Sequence, residues 1–133
     1  MRLALLLTLL LVFATPARAD DIAAAKSVIS AQEQAFGRDD AAAAYSYAAP
    51  AIRERFPGAD IFMSMVRNAY TPVYRHRSFE FGEATVEGDW IAQRVHITDA
   101  NGEIWEALYT LEREPDGSLK ITGCTLLKAG QAV

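Results

Sequence analysis

A carboxylate, an amide and a phenol occur at positions that neighbouring strands would bring side by side. They belong to Glu83, Gln93 and Tyr109, and the positions around them are mostly apolar. A few polar groups among apolar side chains are typical of a small-ligand pocket. The carboxylate could also serve as a general base on an acidic C–H, with the phenol as a hydrogen-bond donor. The alternative is a satisfied polar row that binds nothing.

A second polar row places an imidazole between two carboxylates. Glu80, His96 and Glu106 supply these groups, on the opposite face of the predicted sheet. Three such ligands could hold a metal, but a cross-strand ion-pair row is the commoner arrangement, so no metal is expected. The sequence has no Gly-rich phosphate loop, no nucleophile elbow and no Cys pair, and we expect no cofactor.

Arginines cluster just before the first predicted strand. Arg75 and Arg77 point the same way if the chain is extended there, and Arg67 precedes them. Such a cluster could receive an anionic ligand or partner. Pairing with nearby acidic side chains is the alternative, and it is the one that we favour.

Three turn signals divide Phe79–Leu127 into four long antiparallel strands. The signals are Glu87-Gly88-Asp89, Ala100-Asn101-Gly102 and Pro115-Asp116-Gly117. Three-residue loops with glycine in the left-handed region would fix the register and point the odd-numbered residues inward. The predicted pairs are Val86 with Trp90, Asp99 with Glu103, Glu114 with Ser118, Phe79 with Ile97, and Trp105 with Leu127.

Helical patterns fill the chain before this sheet. Apolar residues at helical spacing run from Asp20 or Asp21 to Gly37, with Gln32 as the one polar member of the stripe. An Ala-rich helix follows Asp39 or Asp40 and ends at Pro50, and a further helical turn precedes Pro57-Gly58. A third helix starts at Asp60 and stops at Thr71-Pro72, after which Pro72–Ser78 is expected to be extended. Three helices before a curved four-stranded meander make an α+β fold.

This layout resembles the cone-shaped fold of the ketosteroid isomerase and nuclear transport factor superfamily. Within it, the chain is similar to an uncharacterised family of small secreted bacterial proteins. The resemblance spans nearly all of Ile22–Lys128 and implies a fold but no activity. Its motifs are Ile29-x-x-Gln32-x-x-Ala35-Phe36, Asp39-Asp40, Ala48-Ala49-Pro50-x-Ile52-Arg53, Phe62-Met63-x-Met65-Val66-Arg67, Pro72-Val73-Tyr74-Arg75-x-Arg77-Ser78 and Thr98-Asp99-x-x-Gly102.

The N-terminus has the pattern of a secretory signal peptide. A basic start, an apolar run over Leu3–Ala14 and the Ala17-Arg18-Ala19 cleavage pattern define residues 1–19 as this segment. Residues 20–128 would form the single domain and 129–133 a flexible tail. We therefore expect a periplasmic or secreted protein. The net charge of −4 argues against nucleic acid and, after signal cleavage, against a membrane surface as partner.

These features predict an exported, non-enzymatic domain that binds a small ligand or a protein partner. Gln32 and Trp105 complete the predicted pocket set with Glu83, Gln93 and Tyr109. The first alternative is a small-molecule enzyme, of the isomerase, dehydratase or cyclase kind, that uses Glu83 and Tyr109. The second is a purely structural dimer. Apolar residues on the outer sheet face predict a homodimer through that face; they are Trp90, Ile104, Leu108 and Leu126.

Overall fold

The computed structural model describes residues 17–129 of the 133-residue chain. Helical segments come first and a sheet of four antiparallel strands in sequence order follows, which confirms the α+β class. The helices are α1 (Ala17–Gly37), α2 (Ala41–Ser46), α3 (Pro50–Arg55), α4 (Ala59–Ala69) and α5 (Thr71–Tyr74). The strands are β1 (His76–Glu87), β2 (Trp90–Asp99), β3 (Ile104–Arg113) and β4 (Leu119–Lys128).

Most of the predicted signal peptide and of the predicted tail lies outside the described residues. Between residues 17 and 129 no helix has the length and apolar character needed to cross a membrane. At the end of the described range, the Ala129 backbone N–H donates to the Ile104 carbonyl over 2.9 Å. The sheet hydrogen bonding therefore continues one residue into the segment predicted to be a tail.

Helix starts follow capping chemistry only in part. Asp40 caps α2 as predicted, because its Oδ1 accepts from the Ala43 backbone N–H over 3.1 Å. The predicted start at Asp60 is wrong, since α4 begins directly after Gly58. The expectation of an extended chain from Pro72 is also wrong. Proline lacks a backbone N–H, which suits the first turn of a helix, and Pro72 takes that place in α5.

The first hairpin has a shorter loop than predicted. Glu87 pairs with Trp90, so Gly88 and Asp89 alone form the loop. Gly88 has a φ of 57°, the conformation that a two-residue hairpin turn requires at its first position. The predicted pairing of Val86 with Trp90 is therefore wrong by one residue.

A bulge in β1 corrects this slip a few residues further on. It lies between Phe81 and Ala84, and it makes Ala84 rather than Glu83 the partner of Gln93. Glu83 consequently faces solvent. A β-bulge inserts an extra residue into one strand and bends it, so the predicted inward direction of odd-numbered residues fails between this bulge and the hairpin.

A second bulge interrupts β4. Leu111 pairs with Ile121 and Thr110 pairs with Gly123, which leaves Thr122 as the extra residue. Residues of β4 beyond this point are shifted by one relative to the prediction. The remaining predicted pairs are confirmed: Phe79 opposite Ile97, Asp99 opposite Glu103, and Glu114 opposite Ser118.

The β4 shift exchanges the roles of two leucines. Leu126 packs against the core, whereas Leu127 is 46% exposed on the outer face. Trp105 accordingly lies opposite Lys128 instead of Leu127. The core itself lies between α1 and the inner sheet face. Its fully buried members include Ala25, Ile29, Phe36, Ile91, Val95, Ile97, Ala107 and Leu111.

Candidate functional site

A cavity of about 550 Å³ opens between α3, α4 and the bulged part of β4. This volume is in the range of roughly 300–1,000 Å³ that small-ligand pockets occupy. Most of its wall is apolar, with side chains from Phe36, Phe56, Phe62, Val66, Val73 and Ile121. A cavity of this size and lining is suited to the apolar body of a small molecule.

Backbone hydrogen bonds hold the helical side of this cavity against the sheet. The Ile121 N–H donates to the Tyr47 carbonyl and the Ala49 N–H donates to the Ile121 carbonyl, both over 2.8 Å. The Tyr45 hydroxyl donates to the Phe56 carbonyl over 2.8 Å. The same hydroxyl accepts from the Gly58 N–H over 3.2 Å. These bonds fix α3 and the turn after it, and with them one rim of the cavity.

Polar groups enter the cavity from three directions. The Gln32 side chain comes from α1, and its amide nitrogen donates to the Ala44 carbonyl over 3.1 Å. The Tyr70 side chain comes from the end of α4, and its hydroxyl donates to the Cys124 carbonyl over 3.0 Å. The Tyr109 side chain comes from β3 and is 2% exposed.

Tyr109 and Cys124 form the polar contact at the base of the cavity. Burial raises the pKa of the Tyr109 phenol well above its usual value, and the neighbouring Cys124 thiol raises it further. Burial also raises the pKa of Cys124 to about 12, against a smaller lowering by the Tyr109 hydroxyl. Desolvation disfavours a charged form, so both groups are neutral. Tyr109 can donate a hydrogen bond here, and Cys124 is not an activated nucleophile.

The predicted inner row of Glu83, Gln93 and Tyr109 forms only in part, because Gln93 lies opposite Tyr109 as predicted but Ala84 replaces Glu83 opposite Gln93. Gln93 is fully buried, and its amide nitrogen donates to the carbonyls of Gly82 over 3.0 Å and Arg94 over 2.8 Å. It therefore closes the β1 bulge and does not line the cavity. Its amide oxygen has no hydrogen-bond partner among the described residues. Of the predicted pocket residues, the cavity contains Gln32 and Tyr109 and not the other three.

Trp105 serves the turn between β2 and β3. Its Nε1 donates to Asp99 Oδ2 over 3.0 Å. The other Asp99 oxygen accepts from the backbone N–H groups of Asn101 and Glu103, each over 2.9 Å. The Trp105 hydrogen bond, followed by these backbone N–H groups, lowers the pKa of Asp99. This arrangement is a structural anchor of the turn, and neither Trp105 nor Asp99 lines the cavity.

Arg75 is occupied by the protein's own acidic and carbonyl groups. Its Nη2 lies 3.0 Å from Asp39 Oδ2, and its Nη1 donates to the Phe36 carbonyl over 2.9 Å. The Tyr74 hydroxyl donates to Asp39 as well. That hydrogen bond, followed by the positive charges of Arg75 and Arg67, lowers the pKa of the Asp39 carboxyl. The predicted anion site at Arg75 is therefore filled internally.

Arg77 lies apart from Arg75, on the exposed side of β1. Its Nη1 is 3.5 Å from the position that a Cβ on Gly102 would occupy, which places it beside the β2–β3 turn. The predicted two-arginine cluster is thus divided between two locations. Neither arginine lines the cavity.

The outer row aligns as predicted, with Glu80 opposite His96 and His96 opposite Glu106. Its side chains have other partners, however. Arg94 Nη1 lies 2.7 Å from Glu106 Oε1. The His96 ring lies over Gly82, where a Cβ would be 2.6 Å from its Nε2. Residues 17–129 contain no group of three side chains positioned to hold a metal ion.

A family model matches nearly all of the described residues. The family model described as "Domain of unknown function (DUF4864)" matches residues 18–132. The chain belongs to the DUF4864 family. A search of curated proteins gives no significant match to this DUF4864 chain.

A solved structure has a similar fold. It is an NTF-2 like protein of unknown function from Silicibacter pomeroyi DSS-3, with a TM-score of 0.55 and 19% identity. The match covers 84% of the DUF4864 chain and 98% of that chain. At this identity the likeness concerns the fold alone, and it confirms the predicted nuclear transport factor-like fold.

The sequence reasoning missed Arg55, Tyr70 and Cys124 as cavity residues of the DUF4864 domain. Arg55 and Tyr70 come from helical segments whose position relative to the sheet no local pattern specifies. The β4 bulge turns Cys124 toward Tyr109, whereas a regular strand would direct this even-numbered residue outward. A signal was present in Gly123, since an isolated glycine within a strand often marks a bulge.

Proposed function

We propose that this protein is an exported, non-enzymatic domain that binds a small ligand in the cavity between α3, α4 and β4. The observation that carries the proposal is the cavity itself, about 550 Å³ and largely apolar, with a buried phenol at its base. An apolar space with a few polar groups that fix orientation is what small-molecule recognition requires.

Binding is favoured over catalysis because the cavity lacks an activated group. Glu83, the proposed general base, is exposed on the β1 bulge and does not line the cavity. Tyr109 and Cys124 do line it, but burial raises both pKa values and keeps both groups protonated. Without a base or a nucleophile among these residues, recognition is the role that the lining supports best.

Native mass spectrometry of the protein, purified under gentle conditions from the cell that makes it, tests this proposal. We expect an additional bound mass in the wild-type protein. Ala69→Phe should remove it, because Ala69 is an exposed residue of α4 that lines the cavity, and a phenyl group there would occupy the opening. Ala23→Phe is the matched control, since Ala23 is exposed on α1 and outside the cavity.

Two results would contradict ligand binding in this cavity. The first is a wild-type protein that carries no bound mass under any gentle purification. The second is a bound mass that Ala69→Phe retains, because the ligand would then lie elsewhere.

A second candidate role is association of two copies through the outer sheet face. Ile104 is 58% exposed and Leu127 is 46% exposed, and both lie at the same end of the β3–β4 pair. Leu108 continues this apolar area along β3. Trp90 is 50% exposed but lies at the opposite end of β2. Exposed apolar area of this kind is typical of interaction surfaces.

Light scattering on Ile104→Glu tests this second candidate. We expect twice the monomer mass for the wild-type protein and the monomer mass for the variant, because a carboxylate would be buried without a partner in the dimer. Ile61→Glu is the matched control, since Ile61 is 55% exposed and belongs to α4, outside the sheet. A monomeric wild-type protein would exclude the dimer.

Export is proposed on the signal-peptide pattern of residues 1–19. N-terminal sequencing of the protein from the periplasm or the medium should begin at Asp20. Retention of Met1 would contradict it.

A further inference from the structure

The charge of the cavity lining is opposite to that of the whole chain. The chain has 17 acidic and 13 basic residues. Among the residues that line the cavity, however, none is acidic and one is basic, Arg55. In an acidic protein, a cavity lined by residues of average composition would include carboxylates. This cavity includes none, so a bound anion would meet one positive charge and no negative charge.

Arg55 lies where it can meet the polar end of a ligand. It is the last residue of α3, and its guanidinium carbon is 5.8 Å from the centre of the Phe56 ring. Tyr70 lines the same cavity as Arg55. Burial raises the pKa of the Tyr70 phenol, and the positive charge of Arg55 opposes this with a smaller lowering effect. The ion pairs among residues 17–129 involve other arginines, one lysine and one histidine, and do not include Arg55.

Arg53, two residues before Arg55 in α3, makes hydrogen bonds that hold this helix in place. The Nε of Arg53 donates to the Ala48 carbonyl over 3.1 Å, and its Nη2 donates to the Tyr45 carbonyl over 3.1 Å. Arg53 therefore fixes α3 to the preceding segment. Arg55 is exposed and has no such structural role in the described contacts.

We propose that the cavity selects an amphipathic anion, with an apolar body against the phenylalanine wall and a carboxylate-type headgroup at Arg55. This inference rests on the proposed ligand-binding function and names its ligand class. A guanidinium matches the planar, two-oxygen geometry of a carboxylate and forms paired charge-assisted hydrogen bonds with it. A cationic headgroup would be repelled at the same place, and a neutral headgroup would gain only an ordinary hydrogen bond.

Three probes with the same ten-carbon chain test the headgroup preference: decanoate, 1-decanol and decyltrimethylammonium. Binding to the full folded protein is followed by chemical-shift changes at the cavity residues Tyr109 and Cys124, below the concentration at which the probes form micelles. We expect decanoate to bind about tenfold more tightly than 1-decanol, because a charge-assisted hydrogen bond to Arg55 is stronger than a neutral one. Decyltrimethylammonium should bind most weakly.

Arg55→Gln should lower decanoate affinity to that of 1-decanol and leave 1-decanol binding unchanged, whereas Arg55→Lys should keep part of the preference. Arg77→Gln removes the same charge outside the cavity and should change neither. Equal binding of decanoate and 1-decanol to the wild-type protein, or a preference that survives Arg55→Gln, would overturn the inference while leaving a ligand-binding cavity. Failure of all three probes to shift the cavity residues would count against both proposals.

Discussion

Two of the sheet's bulges, one in the middle of β1 and one in β4, have opposite surroundings. In β1 the irregularity at Gly82 and Glu83 is closed from inside by the buried Gln93 amide, which donates to the Gly82 carbonyl. In β4 the irregularity at Thr122 is held by one hydroxyl pair, with Thr110, and the cavity opens beside it. The same departure from regular pairing thus gives a sealed region in one strand and an open one in the other.

This difference shows how a small domain can have both a packed core and an open cavity. Burying a glutamine side chain costs free energy unless its polar atoms are hydrogen-bonded. In β1 the buried Gln93 side chain supplies the donor that closes the bulge. Where no such side chain is present, in β4, apolar walls and the buried Tyr109 phenol line a cavity. The following predictions test whether the β1 bulge is structural and the β4 bulge is functional.

The largest expected effect concerns Cys124, the single cysteine, at the open bulge. Burial raises its pKa to about 12, so its thiolate is scarce at mildly alkaline pH. Iodoacetamide should alkylate the native protein about a thousandfold more slowly than the unfolded chain, whose cysteine pKa is about 8.5. The alkylation rate of the native protein should keep rising with pH under mildly alkaline conditions, because the pH is still below the pKa of Cys124 and the reactive thiolate fraction continues to grow.

Mass spectrometry of the alkylated protein at successive times gives both rates. Because no other cysteine is present, each added group reports on Cys124. A native rate within about tenfold of the unfolded rate would mean that the base of the cavity is hydrated, and the apolar description of the open bulge would then be wrong.

At the sealed bulge, Gln93→Met should lower the free energy of unfolding by about 1–3 kcal/mol. The substitution keeps the approximate volume of the side chain but leaves the carbonyls of Gly82 and Arg94 without their donor. Urea denaturation measures the change. Gln34→Met is the control, since Gln34 is exposed on α1. A neutral effect of Gln93→Met would show that the amide does not hold the bulge closed.

At the open bulge, Thr122→Val should cost less, about 0.5–1.5 kcal/mol. It removes the hydrogen bond between Thr122 Oγ1 and Thr110 Oγ1, which is 2.8 Å long and only partly buried. The same urea experiment measures it. If Thr122→Val destabilised the protein more than Gln93→Met does, the β4 bulge would be the more important of the two for the fold.

The smallest effect is expected for Glu83→Gln. Glu83 is exposed on the β1 bulge, so the change in stability should stay within about 0.5 kcal/mol. The ligand mass retained in native spectra should also be unchanged. Loss of that mass would assign Glu83 a part in binding and would reverse the distinction between the two bulges.

The sequence predicted the regular parts of the sheet because local chemistry determines them. In β2, alternating apolar and polar residues give the alternating burial that a half-buried strand requires. The loops at Gly102 and Gly117 follow from the positive φ that glycine adopts freely, 82° and 88° here. Both hairpins therefore have the predicted register next to their turns.

The bulges and the cavity could not be predicted with the same rules. A bulge shifts every later residue of its strand by one, and Leu126 and Leu127 differ too little to reveal the shift. The cavity depends on how α3 and α4 lie against β4, which involves contacts between distant parts of the chain. The pairing of Arg75 with Asp39, 36 residues apart, is of the same kind. A charge cluster read from sequence does not show which of its members is already neutralised.

The β1 bulge also has a consequence for how the protein behaves at high concentration. The outer strands of an open sheet expose unpaired backbone groups, which can join with strands of other molecules and lead to aggregation. In β4, residues 47–49 cover part of that edge through their hydrogen bonds to Ile121. In β1, the bulge interrupts the edge next to the exposed charges of Arg77, Glu80 and Glu83. The irregularity that turns Glu83 away from the interior thereby makes this edge a poor template for a foreign strand.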